Sequence, residues 1–313
     1  MKLSIIIPVY CNEDSLVPLF ADLKAKVLDV VDYEYEIVMI DDGSTDNSWT
    51  VMERLCERDD SITALRLSKN FGSHAAILCG LEHCTGDCAV VKAADLQEPS
   101  ELILRMVSKW KSGDNVVLAV RSEREEEKSR TAFANMYYWL TRKMALPNMP
   151  KKGFDVYLVD RKVIDVLSSL DNTNSALTGQ ILWSGFKTGI VEYTRKAREI
   201  GTSKWTLAKK FRLVSDTLFG FSTAPIKAVE LVGAIAFFGA LIWAIVVFVC
   251  RLSGAIDVDG WTSLFIFSLF SFGIIMVTLG ILGEYLWRVY DSSRGRPSYI
   301  VEMKRSKRDG NQR

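Results

Sequence analysis

The run Ile37-Val-Met-Ile-Asp-Asp-Gly-Ser-Thr-Asp46 constrains the fold of this chain more than any other stretch. An apolar run stops abruptly on two acids, a glycine and a Ser/Thr/Asp cluster. A strand buried on both faces reads this way, followed by a tight turn and a helix N-terminus. In open α/β sheets, ligands bind beyond the carboxyl ends of such strands, so Asp41 and Asp42 are expected where a ligand would be held. The first strand, Leu3-Ser-Ile-Ile-Ile-Pro-Val-Tyr10, ends the same way, on Asn12, Glu13 and Asp14. Acids at these ends suit ribose hydroxyls, base N–H groups and divalent cations better than a bare phosphate. Helix capping alone would use the same residue types, but two such ends in succession favour a nucleotide site.

The 313 residues allow one large domain or two smaller ones. A net charge of +1 identifies no partner, because the charge is unevenly placed; no nucleic-acid partner is expected. Met1-Lys2 leads straight into a strand with no small-residue cleavage site, so no signal peptide is expected. The six cysteines show no secreted-scaffold pattern, and reduced thiols are expected. Cys79, His83, Cys84 and Cys88 do not match a known zinc spacing and suit a packed core better.

Val229 to Cys250 is apolar apart from Glu230, and Trp261 to Gly283 carries no charge. As helices each reaches about 33 Å, enough for a hydrocarbon core of about 30 Å. Arg195, Lys196, Arg198, Lys204, Lys209, Lys210 and Arg212 precede the first stretch. Arg288, Arg294, Arg296, Lys304, Arg305, Lys307 and Arg308 follow the second. Positive charge at both outer ends places both termini in the cytoplasm. Between Trp205 and Phe221, Leu207, Phe211, Val214, Leu218 and Phe221 recur at helical spacing among Lys209, Lys210 and Arg212, the pattern of a helix lying in the membrane interface. The expected organisation is a cytosolic α/β domain over residues 1–204, an interfacial amphipathic helix over 205–226, a two-helix anchor over 227–288 with spans at 229–250 and 261–283, and a basic cytoplasmic tail over 289–313.

The candidate chemistry lies between Asp87 and Lys204. Ala89-Val-Val-Lys-Ala-Ala94 reads as another apolar strand, ending on Asp95-Leu-Gln-Glu-Pro-Ser-Glu101. Asp95, Gln97 and Glu98 offer hard oxygen ligands, and Pro99 opens a helix at Ser100 or Glu101. A carboxylate at such a strand end is placed for Mg²⁺ or Mn²⁺ to bridge a diphosphate and neutralise a departing nucleoside diphosphate.

Ser4-Ile-Ile-Ile-Pro-Val-Tyr10, Asp41-Asp-Gly-Ser-Thr-Asp46, Asn70-Phe-Gly72 and Asp95-Leu-Gln-Glu-Pro99 together resemble the family 2 inverting glycosyltransferases of the glycosyltransferase-A fold. Gly153-Phe-Asp155, Gly201-Thr-Ser-Lys-Trp205, Gly283-Glu-Tyr-Leu286 and Gly295-Arg-Pro-Ser-Tyr-Ile-Val301 resemble the polyprenyl-phosphate branch, which holds dolichol-phosphate mannose synthase and the bacterial bactoprenol glucosyltransferases. The resemblance runs nearly end to end. It implies a Rossmann-like domain with a mainly parallel sheet. It also implies transfer of one sugar, glucose from a UDP-sugar, to undecaprenyl phosphate at the inner (cytoplasmic) membrane, for cell-envelope glycan or O-antigen modification. The enzyme would be a multi-pass homo-oligomer. Pro8, Tyr10, Glu13 and Asp42 would line the nucleoside pocket, with Lys69 and Asn70 nearby. Asp95 and Gln97 match the metal and diphosphate motif, and Asp155 the acid beside the reacting sugar. Ser203 and Lys204 match a phosphate-holding motif, with Arg198 a further phosphate partner. Arg121 and Arg130 flank Ser122-Glu-Arg-Glu-Glu-Glu-Lys-Ser129, which resembles the loop over the site.

One departure matters: relatives read Asp-Ala-Asp-Leu-Gln, and here the first acid is Ala93. Two other functions fit parts of the pattern. A processive polysaccharide synthase would carry Gln-x-x-Arg-Trp and more spans, but Gln180-Ile-Leu-Trp183 lacks the arginine. A nucleotide-sugar-binding scaffold without catalysis would account for Ala93, but not for Asp95, Asp155 and Lys204.

Overall fold

Side-chain alternation decides which way each buried strand faces. In β1 (Lys2–Val9), Leu3, Ile5, Ile7 and Val9 enter one core and Ile6 the other. β2 (Glu34–Asp41) divides Ile37 and Met39 from Val38 and Ile40 in the same way. Strands apolar on both faces need helices on both sides. The computed structural model, which describes residues 1–122, 138–139, 141–170, 176–195, 222, 224–252 and 260–307, supplies them. One layer holds α1 (Glu13–Leu23), α2 (Ser48–Arg58) and α4 (Leu102–Lys111). The other holds α3 (Ser73–His83), α5 (Arg161–Ser169) and α6 (Leu177–Trp183).

The remaining strands are β3 (Ile62–Leu67), β4 (Cys88–Val91), β5 (Val116–Arg121), β6 (Val156–Asp160), β7 (Thr188–Tyr193) and β8 (Val301–Ser306). The sheet order is β7-β5-β6-β4-β1-β2-β3-β8. β1, β2, β3, β4, β5 and β7 run one way, and β6 and β8 run against them. The chain moves outward from β1 to β2 in one direction and to β4 in the other. The topological switch point therefore lies between β1 and β4, where α/β sheets hold ligands. Pro8 helps open it. Lys92 N–H donates to Ile6 O at 2.9 Å as the last bond between these strands, and Pro8, two residues on, has no N–H to extend the ladder.

β6 is the second device that shapes the site. It lies antiparallel between β4 and β5, so its first residues arrive at the sheet edge where β4, β5 and β7 end. Residues after β4, at the end of β5, before β6 and after β7 therefore meet at one place.

Two long helices follow: α7 (Ala224–Leu252) and α8 (Trp261–Ser293). Ile226–Val246 and Phe270–Ser293 within them have mean hydropathies of 2.3 and 1.6, long and apolar enough to cross a membrane by length and composition. Ile235, Phe237, Phe238, Ile242 and Trp243 lie exposed along α7. α8 continues past Gly283, and Tyr285 Oη donates to Ser222 O at 3.1 Å.

The tail reading of residues 289–313 missed β8. The chain returns after α8 to pair β8 antiparallel with β3 at the sheet edge. Arg305 Nε lies 3.1 Å from Glu53 Oε1 and Lys307 Nζ 2.6 Å from Asp60 Oδ1. Basic residues read as a cytoplasmic tail thus lie on an edge strand, where charged side chains discourage edge-to-edge pairing. Residues 205–221, read as an interfacial helix, lie outside the described residues.

Candidate active site

The loops after β1 and β2 are tied together. Cys11 N–H donates to Ser44 Oγ (2.9 Å) and Asn12 N–H to Ser48 Oγ (2.8 Å). Glu13 Oε2 accepts from Asn47 N–H (2.8 Å), and Tyr10 N–H donates to Asn12 Oδ1 (3.1 Å). Glu13, expected at a nucleoside, is thus also a clasp between these two loops.

Asp41 and Asp42 are more deeply placed than the strand-end reading implied. Asp41, fully buried, accepts from Ser44 N–H at 2.9 Å and lies 3.4 Å from Arg66 Nε, which is also 4.0 Å from Glu302 of β8. It is the last residue of β2 and belongs to the turn, not to the ligand-facing surface. Asp42, also buried, accepts from Phe71 N–H at 2.7 Å and Gly72 N–H at 3.0 Å. It holds the Asn70–Gly72 loop against β2. Lys69 and Asn70 are exposed on that loop, with Lys69 Nζ 5.0 Å from the centre of the Phe71 ring. Gly43 (φ +66°) permits this approach, since a Cβ there would lie 2.6 Å from the Lys69 carbonyl carbon.

Across the crevice, Asp95-Leu96-Gln97 follows β4. Leu96 has φ +58°, an uncommon conformation for a branched residue and one that clusters at functional turns. Gln97 N–H donates to Asp95 Oδ1 at 3.3 Å. The turn is fixed from behind by Lys92, whose buried ammonium donates to Glu98 O at 2.8 Å. Burial pushes the Lys92 pKa down, although Glu98 and Asp22 oppose this. Burial, then the charge of Asp95, pushes the Glu98 carboxyl above the usual carboxylate range. Among the described residues, Glu98 Oε2 is buried with no hydrogen-bond partner. Ala93 leaves Asp95 as the one acid of the Ala93-Ala94-Asp95 triplet.

Gly153 sets up the third wall. Its φ is +68°, and a Cβ there would lie 2.3 Å from the Tyr138 ring. Phe154 is buried against Tyr157, which leaves Asp155 half-exposed just before β6. Arg121, at the end of β5, donates from Nη2 to Asp155 Oδ2. Arg195, just after β7, donates from Nη2 to Gln97 Oε1. Its Nη2 is also 3.7 Å from Asp95 Oδ2 and 3.8 Å from Glu98 Oε1, and its Nη1 is 3.7 Å from Asp155 Oδ2.

Asp95, Gln97, Asp155 and Arg121 therefore meet around Arg195, whereas Pro8, Tyr10, Glu13, Asp42, Lys69 and Asn70 lie on the β1, β2 and β3 side. Arg130, Arg198, Ser203 and Lys204 lie outside the described residues. Sequence reasoning missed Glu98 as a buried carboxylate and Arg195 as a site residue. The signal for Arg195 was the alternating strand Thr188-Gly-Ile-Val-Glu-Tyr193 directly before it, whose end the sheet brings beside β5. His74, just after the Asn70–Gly72 loop, accepts at Nδ1 from Leu177 N–H at 3.0 Å and so positions α6. Asp160 caps α5 by accepting from Lys162 N–H at 3.0 Å. Burial pushes the Cys79 and Cys88 thiols up to about 12 and Cys56 to about 11.

Among the described residues, no three His, Cys, Asp or Glu side chains gather as an all-protein cage. Asp95 and Gln97 supply hard oxygens beside the orphaned Glu98 oxygen. This set fits Mg²⁺ or Mn²⁺ held partly by substrate phosphates and water, and fits poorly a cation that needs a full protein shell.

The family model for "Glycosyl transferase family 2" matches residues 4–164, just over half of the chain. An uncharacterized glycosyltransferase, YkcC, of Bacillus subtilis (strain 168) is 36% identical over 305 residues, covering 96% of this chain and 94% of the relative. A bactoprenol glucosyl transferase of Shigella phage SfV is 32% identical over 308 residues, covering 98% and 100%. Among solved structures, a mannosyltransferase of Pyrobaculum calidifontis in complex with GDP-Man and Mn²⁺ is 14% identical with a TM-score of 0.47, covering 88% of this chain and 86% of that one. With its switch-point crevice and inserted antiparallel β6, the sheet is that of a glycosyltransferase-A domain. The chain is a glycosyltransferase and belongs to glycosyl transferase family 2.

Proposed function

We propose that the chain transfers one sugar from a nucleotide sugar to a polyprenyl phosphate, with inversion, at the cytoplasmic face of the membrane. The observation that carries this is the meeting of Asp155 and Arg121 with the Asp95 turn, through Arg195, beside the switch-point crevice and ahead of two helices long enough to span a bilayer. Relatives named bactoprenol glucosyl transferase, matched over nearly their whole length, support a prenyl-phosphate acceptor; undecaprenyl phosphate would be that acceptor and UDP-glucose the donor.

Tyr10, Glu13 and Asp42 would frame the nucleoside, with Pro8, Lys69 and Asn70 beside it. Asp95 and Gln97 would hold Mg²⁺ or Mn²⁺. That cation supplies electrostatic stabilisation of the departing diphosphate. A polyprenyl phosphate is largely dianionic at neutral pH, its second pKa being about 6, so it needs little general-base help. The protein's task is then alignment and charge placement. Arg121 would meet an acceptor or donor phosphate, together with Arg130, Arg198, Ser203 and Lys204. Asp155 would orient Arg121 and a sugar hydroxyl without abstracting a proton. With 33 residues, α8 is about 50 Å long. It therefore outreaches a bilayer core of about 30 Å. Its Glu284–Arg288 end would project from the same face as the catalytic domain, where β8 rejoins the sheet. Both termini would be cytoplasmic, and the protein an inner-membrane homo-oligomer.

The direct test offers the detergent-solubilised full chain undecaprenyl phosphate and labelled nucleotide sugars, with and without EDTA. One donor should give a chloroform-soluble product, and EDTA should abolish it. Nucleotide-sugar binding with no lipid product from any donor would instead support a non-catalytic scaffold.

Cys11 gives an independent check on the nucleoside pocket. It is half-exposed (φ +51°) at the end of β1, whereas Cys56, Cys79, Cys84 and Cys88 are buried. At pH 8, N-ethylmaleimide should modify Cys11 in the native protein and spare those four thiols. UDP should slow the Cys11 reaction severalfold, read by peptide mass spectrometry. Equal rates with and without UDP would move the nucleotide away from this loop.

A further inference from the structure

Arg195 occupies an unusual position for a structural arginine. Three carboxylates surround it, from Asp95, Glu98 and Asp155, at 3.7, 3.8 and 3.7 Å. Each distance exceeds the 2.7–2.9 Å of a charge-assisted hydrogen bond. Among the described residues, its one hydrogen bond to this cluster goes to the neutral amide oxygen of Gln97, and its Nε is buried without a partner. Glu98 Oε2, beside it, is likewise buried and unpartnered. Asp155 already has Arg121 as a hydrogen-bonded cation. The guanidinium therefore balances the charge of the Asp95–Glu98 turn while donating to the neutral Gln97 amide rather than to either carboxylate.

We propose that Arg195 is a placeholder cation. It neutralises the Asp95–Glu98 turn while no divalent cation is bound, and it must leave Asp95 and Gln97 for Mg²⁺ or Mn²⁺ to enter. This rests on the reading of Asp95 and Gln97 as cation ligands. A guanidinium spreads one charge over a plane and makes no bond to Asp95 here. A compact dication carries twice the charge and coordinates oxygen directly, so exchange is favourable, with water or diphosphate oxygens completing the sphere. Cation affinity is then set by the displacement of Arg195 as well as by the ligands. The exchange also frees Arg195, which stands just before the sequence segment that carries Arg198, Ser203 and Lys204. A lone carboxylate at the Ala93-Ala94-Asp95 triplet makes the competition sharper, because no second acid there offsets the arginine.

The test measures Mn²⁺ binding to the full chain in detergent, with Mn²⁺ alone, by the electron paramagnetic resonance signal of the free ion. Arg195→Gln should bind Mn²⁺ about tenfold more tightly than wild type, a modest share of the repulsion between charges a few ångströms apart. Arg195→Lys, which keeps the charge, should stay near wild type. If wild type binds Mn²⁺ and Arg195→Gln binds it equally or more weakly, the placeholder role is overturned and the ligand assignment stands. If neither chain binds, both fall. A second reading uses wild type only, in case the glutamine variant folds poorly. Mn²⁺ should speed amide hydrogen exchange in the peptide containing Thr194 and Arg195, and unchanged exchange overturns the proposal.

Discussion

Asp155→Asn should lower the turnover number for lipid-linked sugar by about 10²- to 10³-fold, the range seen when one preorganised electrostatic group is removed from an active site. The carboxylate receives a hydrogen bond from Arg121 and lies 3.7 Å from Arg195, so it holds two guanidinium groups at the mouth of the crevice. An amide keeps the shape but removes the charge and turns one acceptor into a donor facing Arg121. Ground-state nucleotide binding should change little, because Tyr10, Glu13 and Asp42 lie on the β1 and β2 side of the switch point. Stability should fall by less than about 1 kcal/mol, since the side chain is half-exposed and its ion pairs are screened. The measurement is an initial-rate assay of extractable product beside calorimetric titration with UDP. A variant that keeps a tenth or more of wild-type turnover would remove Asp155 from the reacting centre.

Much of this site could be read from the sequence because parallel strands buried on both faces are continuous apolar runs, and their ends are marked by sudden polarity. Ile37–Asp42 and Leu3–Tyr10 announced β2 and β1 in that way, and Asp95 followed from the run after Cys88. Gly153-Phe-Asp155 was legible as a motif, but its neighbours were not. Only the antiparallel insertion of β6 brings Asp155 beside Arg121 and the Asp95 turn, and pairing order is not written locally. Arg195 was hidden for a different reason. In sequence it stands with Lys196 and Arg198 ahead of an apolar stretch, where basic residues read as membrane flanks. Its place in the site depends on the parallel pairing of β7 with β5, which sets Arg121 level with Tyr193. β8 was missed on similar grounds, because its Lys304 and Arg305 read as a tail. Asp41 shows the reverse error: its position at a strand end was right, but complete burial against Arg66 gives it to the turn.

Gly43→Ala should weaken UDP binding at least tenfold and lower the thermal midpoint by several degrees. The residue has φ +66°, and a Cβ would come within 2.6 Å of the Lys69 carbonyl carbon and 2.7 Å of Asn70 N. Both contacts are with backbone, so no side chain can swing aside to relieve them. Forced shifts of packed backbone cost about 1–3 kcal/mol, to which the left-handed conformation adds about 1 kcal/mol. Each kcal/mol corresponds to about 2–4 °C for a domain of this size. The strain falls on the Lys69-Asn70 loop that Asp42 holds through Phe71 and Gly72, so pocket shape suffers along with stability. Gly72→Ala separates the two effects. Its φ is +99°, yet among the described residues nothing lies within 4 Å of where the Cβ would stand. It should lose stability through backbone strain alone and keep UDP affinity within about threefold, a difference of about 0.7 kcal/mol. Equal losses of UDP affinity in both variants, at matched thermal midpoints, would mean that the loop's approach to Gly43 does not shape the nucleoside pocket.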